Sequence, residues 1–371
     1  MTKIAVLGAG HGGSACAVDL TLNGFDVTLC SAYAPSHIKP ILEKGGLEYS
    51  GKFGEGFIRL RATTNLTEAV KEADLIVIVT PSSIHENYAR LLAPILEKKR
   101  NKEQMILLNG STTGGALFVS KILKEMSKSA KGIVCETDIL NYACRLQSPT
   151  SVKIYHKVKH RLFSCFPSKY NNDTYDQIKE IFPELELAEN VLQTSLSNIN
   201  AILHPPGMIL NAGWIEHTSG NFLFYYQGVT NAVARTIDYI DNERIGIAQK
   251  LSLKTETLPE LFYRYGFTFS VFDSSNQAIK SSDTIQLIQS PDKLDHRYLL
   301  DDLGYGLVPM AYIARILDIK TPTIDSLINI ACILNNVNHW DAGLNSKKLG
   351  IGNHTDLTGI RKYVNTGRIF K

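Results

Sequence analysis

The run KIAVLGAGHGGSACAVDL, residues 3 to 20, constrains the fold more than any other stretch of the chain. Lys3 to Leu7 form a short, β-branched, apolar segment suited to a strand buried on both faces. Gly8, Gly10 and Gly13 follow in a G-x-G-x-x-G spacing. A helical pattern (Ala15, Val18, Leu22) then closes on Asn23-Gly24, which is helix-stop chemistry. In this setting Gly8 permits the tight turn, Gly10 lets the backbone approach a pyrophosphate, and Gly13 lets the helix pack close to the strand. The helix N-terminus offers free N–H groups and a positive dipole end to the phosphates. Dinucleotide contacts are therefore expected from Gly8, Ala9, Gly10, His11, Gly12 and Gly13.

The end of the second strand, Asp26 to Cys30, bears on which dinucleotide binds. NAD sites usually carry an acid there to hold the ribose 2′-OH. This sequence has Cys30, Ser31 and Ala32, with no acid before Glu43. Nothing repels a 2′-phosphate; Ser31 is expected to hydrogen-bond it and Lys39 to reach it, although no arginine stands in the usual place. The sequence leans towards NADP, with NAD the alternative.

Strand and helix patterns keep alternating through DLIVIVTPSSIHENYARLLAPIL, QMILLNGSTTGGALFVSKIL and KGIVCETD. This predicts an α/β fold with an N-terminal Rossmann-type doubly wound sheet. Ligands bind outside the carboxyl ends of such strands, so Thr80 and Pro81 to Ser83, with Asn109 to Thr112, are expected at the nicotinamide end. SVKIYHKVKHRLFSCFP alternates polar and apolar residues and is expected to add antiparallel strands to that sheet. On a strand, His156 and His160 lie ~13 Å apart, so no metal site is expected.

With 371 residues, two domains are the first expectation. Beyond Glu189 long 3.6-residue periods dominate, which divides the chain into 1–189 and an all-helical 190–371. A net charge of +3 argues against nucleic acid or a membrane surface as partner. Six cysteines without a CxxC pair read as reduced thiols, no secretory signal opens the chain, and no apolar run reaches the ~18 residues of a spanning helix. The expected location is the cytoplasm.

The helical half carries titratable chemistry in two places. In SLSNINAILHPPGMILNAG, His204 follows Asn200 by one helical turn, and Pro205-Pro206-Gly207 is expected to end the helix there. In DHRYLLDDLGYGLVPMAYIA, Arg297, Asp301 and Asp302 precede Gly304 and Gly306, with the next helix expected near Leu307. Together these supply a proton carrier, an acid able to orient its imidazole, and a cation for a carboxylate.

Four stretches resemble the opine dehydrogenase family, also called octopine/nopaline dehydrogenases: VLGAGHGG, ETDILNYACRL (136–146), SLSNINAILHPPGMILNAGWIE (195–216) and HRYLLDDLGYGLVP (296–309). The resemblance covers nearly the whole chain. It implies an active site between a Rossmann domain and a helical domain. It also implies NAD(P)H-dependent condensation of an α-keto acid, often pyruvate, with an amino acid to give a secondary amine dicarboxylate. It puts the catalytic histidine at His204, its aspartate at Asp302 and the family's arginine at Arg297. Asn200 and Asn198 are expected to hydrogen-bond substrate or the nicotinamide amide, and Tyr225, with Tyr226 and Thr230, to line the amino-acid pocket. The partners implied are small molecules, with the protein a monomer or a homodimer.

Two other readings compete. A reductase of a hydroxy acid or hydroxy phosphate commonly uses a lysine where this chain has SNINAILH; Lys179 and Lys250 both fall outside that stretch. A non-catalytic nucleotide sensor keeps the glycine loop but has no need of a His204–Asp302 pair.

Overall fold

Two sheets organise the N-terminal half of the computed structural model, which describes residues 2–98, 104–352 and 356–368. The strands are β1 (Lys3–Leu7), β2 (Asp26–Cys30), β3 (Gly46–Gly51), β4 (Gly56–Arg59), β5 (Arg61–Thr63), β6 (Leu75–Ile78), β7 (Gln104–Leu108), β8 (Gly132–Thr137), β9 (Tyr142–Ser148), β10 (Ser151–Lys157), β11 (Arg161–Phe166) and β12 (Leu185–Leu187). The main sheet runs β12-β11-β8-β7-β6-β1-β2-β5 and is parallel except where β11 meets β8. Its central strands are apolar throughout because helices cover both faces.

The pair expected at 151–166 forms, but its strands part company. β11 extends the main sheet, whereas β10 enters a second sheet of order β4-β3-β10-β9. The reason is burial. Val152 and Ile154 point into a cluster with Leu47, Ile58 and Cys144 that packs against Ala15 and Val18 of the dinucleotide helix His11–Leu22. His156 lies on β10 and bonds the Tyr265 carbonyl at 2.9 Å, while His160 sits in the turn beyond and meets Glu186 at 2.9 Å.

Helices take over from Val191. The pattern in LQTSLSNINAIL divides into Val191–Leu196 and Asn200–Ile209, because Asn198 Oδ1 accepts the Asn200 N–H at 2.8 Å and starts a new helix. The Pro-Pro-Gly run does not end that helix, which continues to Ile209 with Leu210 N–H bonded to the Pro206 carbonyl. Gly304 and Gly306 likewise make no turn. The helix Arg297–Asp302 passes through a π-helical segment, Leu303–Leu307, into Val308–Ile316. Both departures have one cause: residues 201–209 and 303–314 are almost wholly buried, and tertiary packing holds the backbone where local propensity would release it.

The halves share one core, in which β1, β6 and β7 side chains join Leu196, Ile202, Leu303 and Leu307. The C-terminal helix Leu357–Thr366 returns to the first half, with the Tyr363 ring 5.1 Å from Phe166.

Candidate active site

His204 is the fifth residue of Asn200–Ile209 and only 3% exposed. Its Nδ1 lies 2.6 Å from Asp302 Oδ2, and its Nε2 lies 2.8 Å from Tyr225 Oη. Tyr298 stacks flat on the ring, with centroids 3.8 Å apart and 10° between planes. Tyr298 and Asp302 stand one turn apart on one helix, so a single helical face supplies both the stack and the carboxylate. Two glycines allow the approach: a Cβ at Gly306 would fall 2.6 Å from Ala201 Cβ, and one at Gly207 would fall 2.7 Å from the Phe224 ring.

A carboxylate facing Nδ1 can only accept, so the neutral ring carries its proton there and Nε2 is left to exchange one. Burial lowers the His204 pKa below its ordinary value. Asp302 opposes that fall, and the positive charges of Arg297 and Arg145 reinforce it. The phenol of Tyr225 is held well above its usual pKa, first by burial and then by Tyr298, so it stays protonated.

Arg297 is exposed, with its guanidinium 5.4 Å from the Tyr298 ring. Arg145, on β9, is also exposed, and its guanidinium donates from Nη1 to the Cys144 carbonyl at 3.0 Å. Both lower the pKa of His11 as well, after its partial burial, so the two cations act on the glycine loop and on His204 alike. Among the described residues neither is in an ion pair. The sequence offers no signal for Arg145, because a strand of the small sheet carries it, far from His204 in the chain. Tyr298 was legible in principle, as the residue one turn before Asp302.

Asp301 faces the other way. Its two oxygens accept the Ser82 and Ser83 N–H groups at 3.0 Å each, tying the loop after β6 to the helix that bears Asp302. Burial, with Asp302 alongside, raises its pKa to about 6.

The glycine loop has the expected shape. Gly8 has φ +114°, and a Cβ there or at Gly13 would collide with backbone. No atom lies within 4 Å of the Cβ position at Gly10, the N-cap of His11–Leu22, which carries no side-chain cap. This cradle, with open N–H groups in the first turn, fits a pyrophosphate. Gly12 packs against Leu140 and Val79, and His11 Nδ1 accepts the Leu146 N–H at 2.9 Å. Ala9 lines a cleft of about 230 Å³ with Ser36, His37, Leu146, Gln147 and Ser148. Thr80 packs its methyl towards Gly8 and leaves Oγ1 buried without a partner, and Pro81 beside it is exposed.

Other sequence candidates are committed elsewhere. Ser31 is buried and donates to the Ala34 carbonyl at 3.0 Å. Asn109 donates to Asn141 at 3.1 Å and accepts from Arg161 at 2.8 Å. Asn198 donates to the Ser111 carbonyl while its oxygen starts the His204 helix, so it joins the two halves. Thr230 caps Asn231–Lys250. Tyr226 is half exposed with Lys280 over its ring, 4.7 Å from the centroid. Asn200 sits partly exposed in the first turn of its helix, and its side-chain amide has no hydrogen bond among the described residues. Among the described residues there is no group of three or more His, Cys, Asp or Glu arranged for a metal, and no helix long and apolar enough to cross a membrane.

Comparison with known proteins gives the family and the fold. The family model for the NAD/NADP octopine/nopaline dehydrogenase alpha-helical domain matches residues 187–335. The model for the NAD-dependent glycerol-3-phosphate dehydrogenase N-terminus matches residues 3–136. An opine dehydrogenase of Arthrobacter sp. (strain 1C) is 33% identical over 365 residues, spanning 97% of this chain and 98% of the relative. A vitopine synthase of Allorhizobium ampelinum is 26% identical over 348 residues, 89% of this chain and 90% of its own. An octopine dehydrogenase solved with NADH and agmatine has the same fold, with a TM-score of 0.76 over 100% of this chain and 99% of that one at 18% identity. The chain therefore belongs to the opine dehydrogenase family and is an NAD(P)-dependent oxidoreductase acting on CH–NH groups.

Proposed function

We propose that this protein catalyses the reversible, NAD(P)H-dependent condensation of an α-keto acid, pyruvate in the simplest case, with the amino group of an amino acid. The product is a secondary amine dicarboxylate. The observation that carries this reading is the buried His204–Asp302 pair in the field of two arginines that, among the described residues, form no ion pair. Reduction of a C=N bond needs one proton at nitrogen, and the product has one carboxylate for each of Arg297 and Arg145. The bound nicotinamide supplies or takes the hydride at carbon.

His204 manages the proton: neutral, it accepts one when the amine is oxidised, and as imidazolium it returns one in condensation. Asp302 stabilises the imidazolium. With the chain divided at 189/190, the glycine loop belongs to one half and His204 to the other, an arrangement in which closure of the site would exclude the water that hydrolyses an imine. Solved relatives carry NADH in one case and NADP+ in another. For this chain NADPH is the favoured partner. No acid ends β2, and with Ser31 committed to Ala34, Ser36 and His37, which line the cleft beside Ala9, would hold the 2′-phosphate of a bound dinucleotide, with Lys39 one turn further along Pro35–Lys44. Five buried free cysteines of six fit a reducing, cytoplasmic setting.

The test is oxidation of NADPH and of NADH with pyruvate and a panel of amino acids, with pyruvate-only controls. Oxidation that requires both substrates supports the reading, and oxidation with the keto acid alone would transfer the case to a hydroxy-acid reductase.

A further inference from the structure

We propose that Tyr225 is a catalytic residue of this reaction: its phenol, and not the imidazole of His204, exchanges the proton with the substrate nitrogen. The inference rests on the imine-reductase reading above and deepens it. Both nitrogens of the His204 ring and one of its faces are taken. Asp302 holds Nδ1, Tyr225 holds Nε2, Tyr298 covers one face, and the Phe224 ring lies edge-on at 6.4 Å. A substrate nitrogen therefore meets the Tyr225 oxygen before it meets Nε2.

Tyr225 is not free to swing aside. It is 4% exposed and wedged edge-to-face against Phe224, with centroids 5.0 Å apart at 88°. Arg145 and Arg297 pull its pKa down as they pull down that of His204, against burial and the hydrogen bond with Tyr298, so the phenol and the imidazole share the field of the two cations assigned to the substrate carboxylates.

A hydroxyl has one hydrogen and two lone pairs, which is what a relay requires. With His204 as imidazolium, Nε2–H donates to Tyr225 Oη and turns the phenolic hydrogen towards the imine. The new N–H bond forms as the O–H bond breaks, and the Nε2 proton passes to the oxygen in the same event. His204 ends neutral, Tyr225 ends as a phenol, and the substrate becomes an iminium ion. Its carbon then takes the hydride, giving the secondary amine and the oxidised nicotinamide. No phenolate is formed, which suits a buried hydroxyl that resists ionisation.

The test is Tyr225→Phe, which keeps the ring and removes only the oxygen. In the cofactor-free protein, nitrogen NMR is expected to show the Nε2 resonance of His204 moving to that of an unbonded imidazole nitrogen. The Nδ1–H proton shared with Asp302 should stay in place and report an intact fold. An unmoved Nε2 resonance overturns the proposal without any turnover being measured. In single turnovers the variant is expected to lose ~100-fold or more in rate while KM for the keto acid changes by less than ~3-fold. The wild type should give a bowed proton inventory, reporting two protons in flight. A rate kept within ~3-fold, or a linear wild-type inventory, overturns the relay and leaves His204 as the direct acid. A wild type that never turns over keto acid with amine would instead overturn the proposed function, a result distinct from either.

Discussion

Tyr298 and Asp302 lie one helical turn apart and grip the same imidazole from two directions, the ring at 3.8 Å and the carboxylate at 2.6 Å. The stack sets the plane of His204 and the carboxylate sets its rotation and tautomer. Preorganisation of this kind matters because a histidine misplaced by an ångström loses its proton transfer.

Asp302→Asn is the sharpest test of the pair. The amide keeps the shape, loses the charge that stabilises imidazolium, and can present an N–H to Nδ1, forcing the other tautomer. Turnover should fall by roughly 10²–10⁴, while the affinity for NADPH, measured by fluorescence titration, stays near the wild-type value. Wild-type turnover would remove Asp302 from the mechanism.

Gly306→Ala tests whether the π-helical segment sets the distance between His204 and Asp302. The added Cβ would stand 2.6 Å from Ala201 Cβ, with backbone of the His204 helix behind it. The two helices must separate, which should cost about 1–3 kcal/mol in stability. The rate loss should exceed what the lower Tm alone explains. A variant with the wild-type rate and a lower Tm would make Gly306 a packing residue only.

What the sequence could disclose follows from the range of the interactions. The glycine loop is local, so its spacing was enough to place Gly8, Gly10 and Gly13. His204 and Asp302 were legible because they sit in long, specific stretches, although 98 residues separate them. Pro205-Pro206 and Gly304-Tyr305-Gly306 misled, since breakers speak for the isolated chain and burial on both sides overrides them. Asn109, Asn198 and Ser31 look like ligand contacts in one dimension. Whether an amide or hydroxyl faces a cleft or a neighbouring backbone is decided by tertiary contacts such as Arg161 and Ser111. Arg145 depended on β9 pairing with β10 in a second sheet, where the alternation along 151–157 marks a strand but does not say which sheet it joins.

The pH profile follows from the direction of the His204 shift. Burial lowers its pKa below 6.5 despite Asp302, and Arg297 and Arg145 push it the same way. Amine oxidation needs neutral His204, so kcat/KM in that direction should stay level from neutral pH down past 6.5 and fall only in more acid solution. Arg145→Gln removes one of the lowering charges and should move that acid limb to higher pH, besides raising KM for the dicarboxylate. An acid limb in the same place would separate Arg145 from the electrostatics of the site.

Glu136 makes a prediction about stability. It is fully buried on β8, accepts from Ala116 N–H at 2.7 Å, Thr194 Oγ1 at 2.6 Å and Ser195 Oγ at 3.1 Å, and so binds the first half to the helix Val191–Leu196. Burial raises its pKa from 4.5 to about 7, against the pull of those hydrogen bonds. Between these values the folded protein holds a proton that the unfolded chain has released. Stability from this group is thus complete below pH 4.5 and is lost as pH rises towards 7, by an amount on the order of 3 kcal/mol. Glu136→Gln cannot ionise, so the difference in unfolding free energy between variant and wild type should shift in favour of the variant across that window. Denaturant titrations at several pH values measure it directly. Parallel curves for the two proteins would mean that the three donors keep Glu136 ionised in the fold, with a pKa close to that of the unfolded chain.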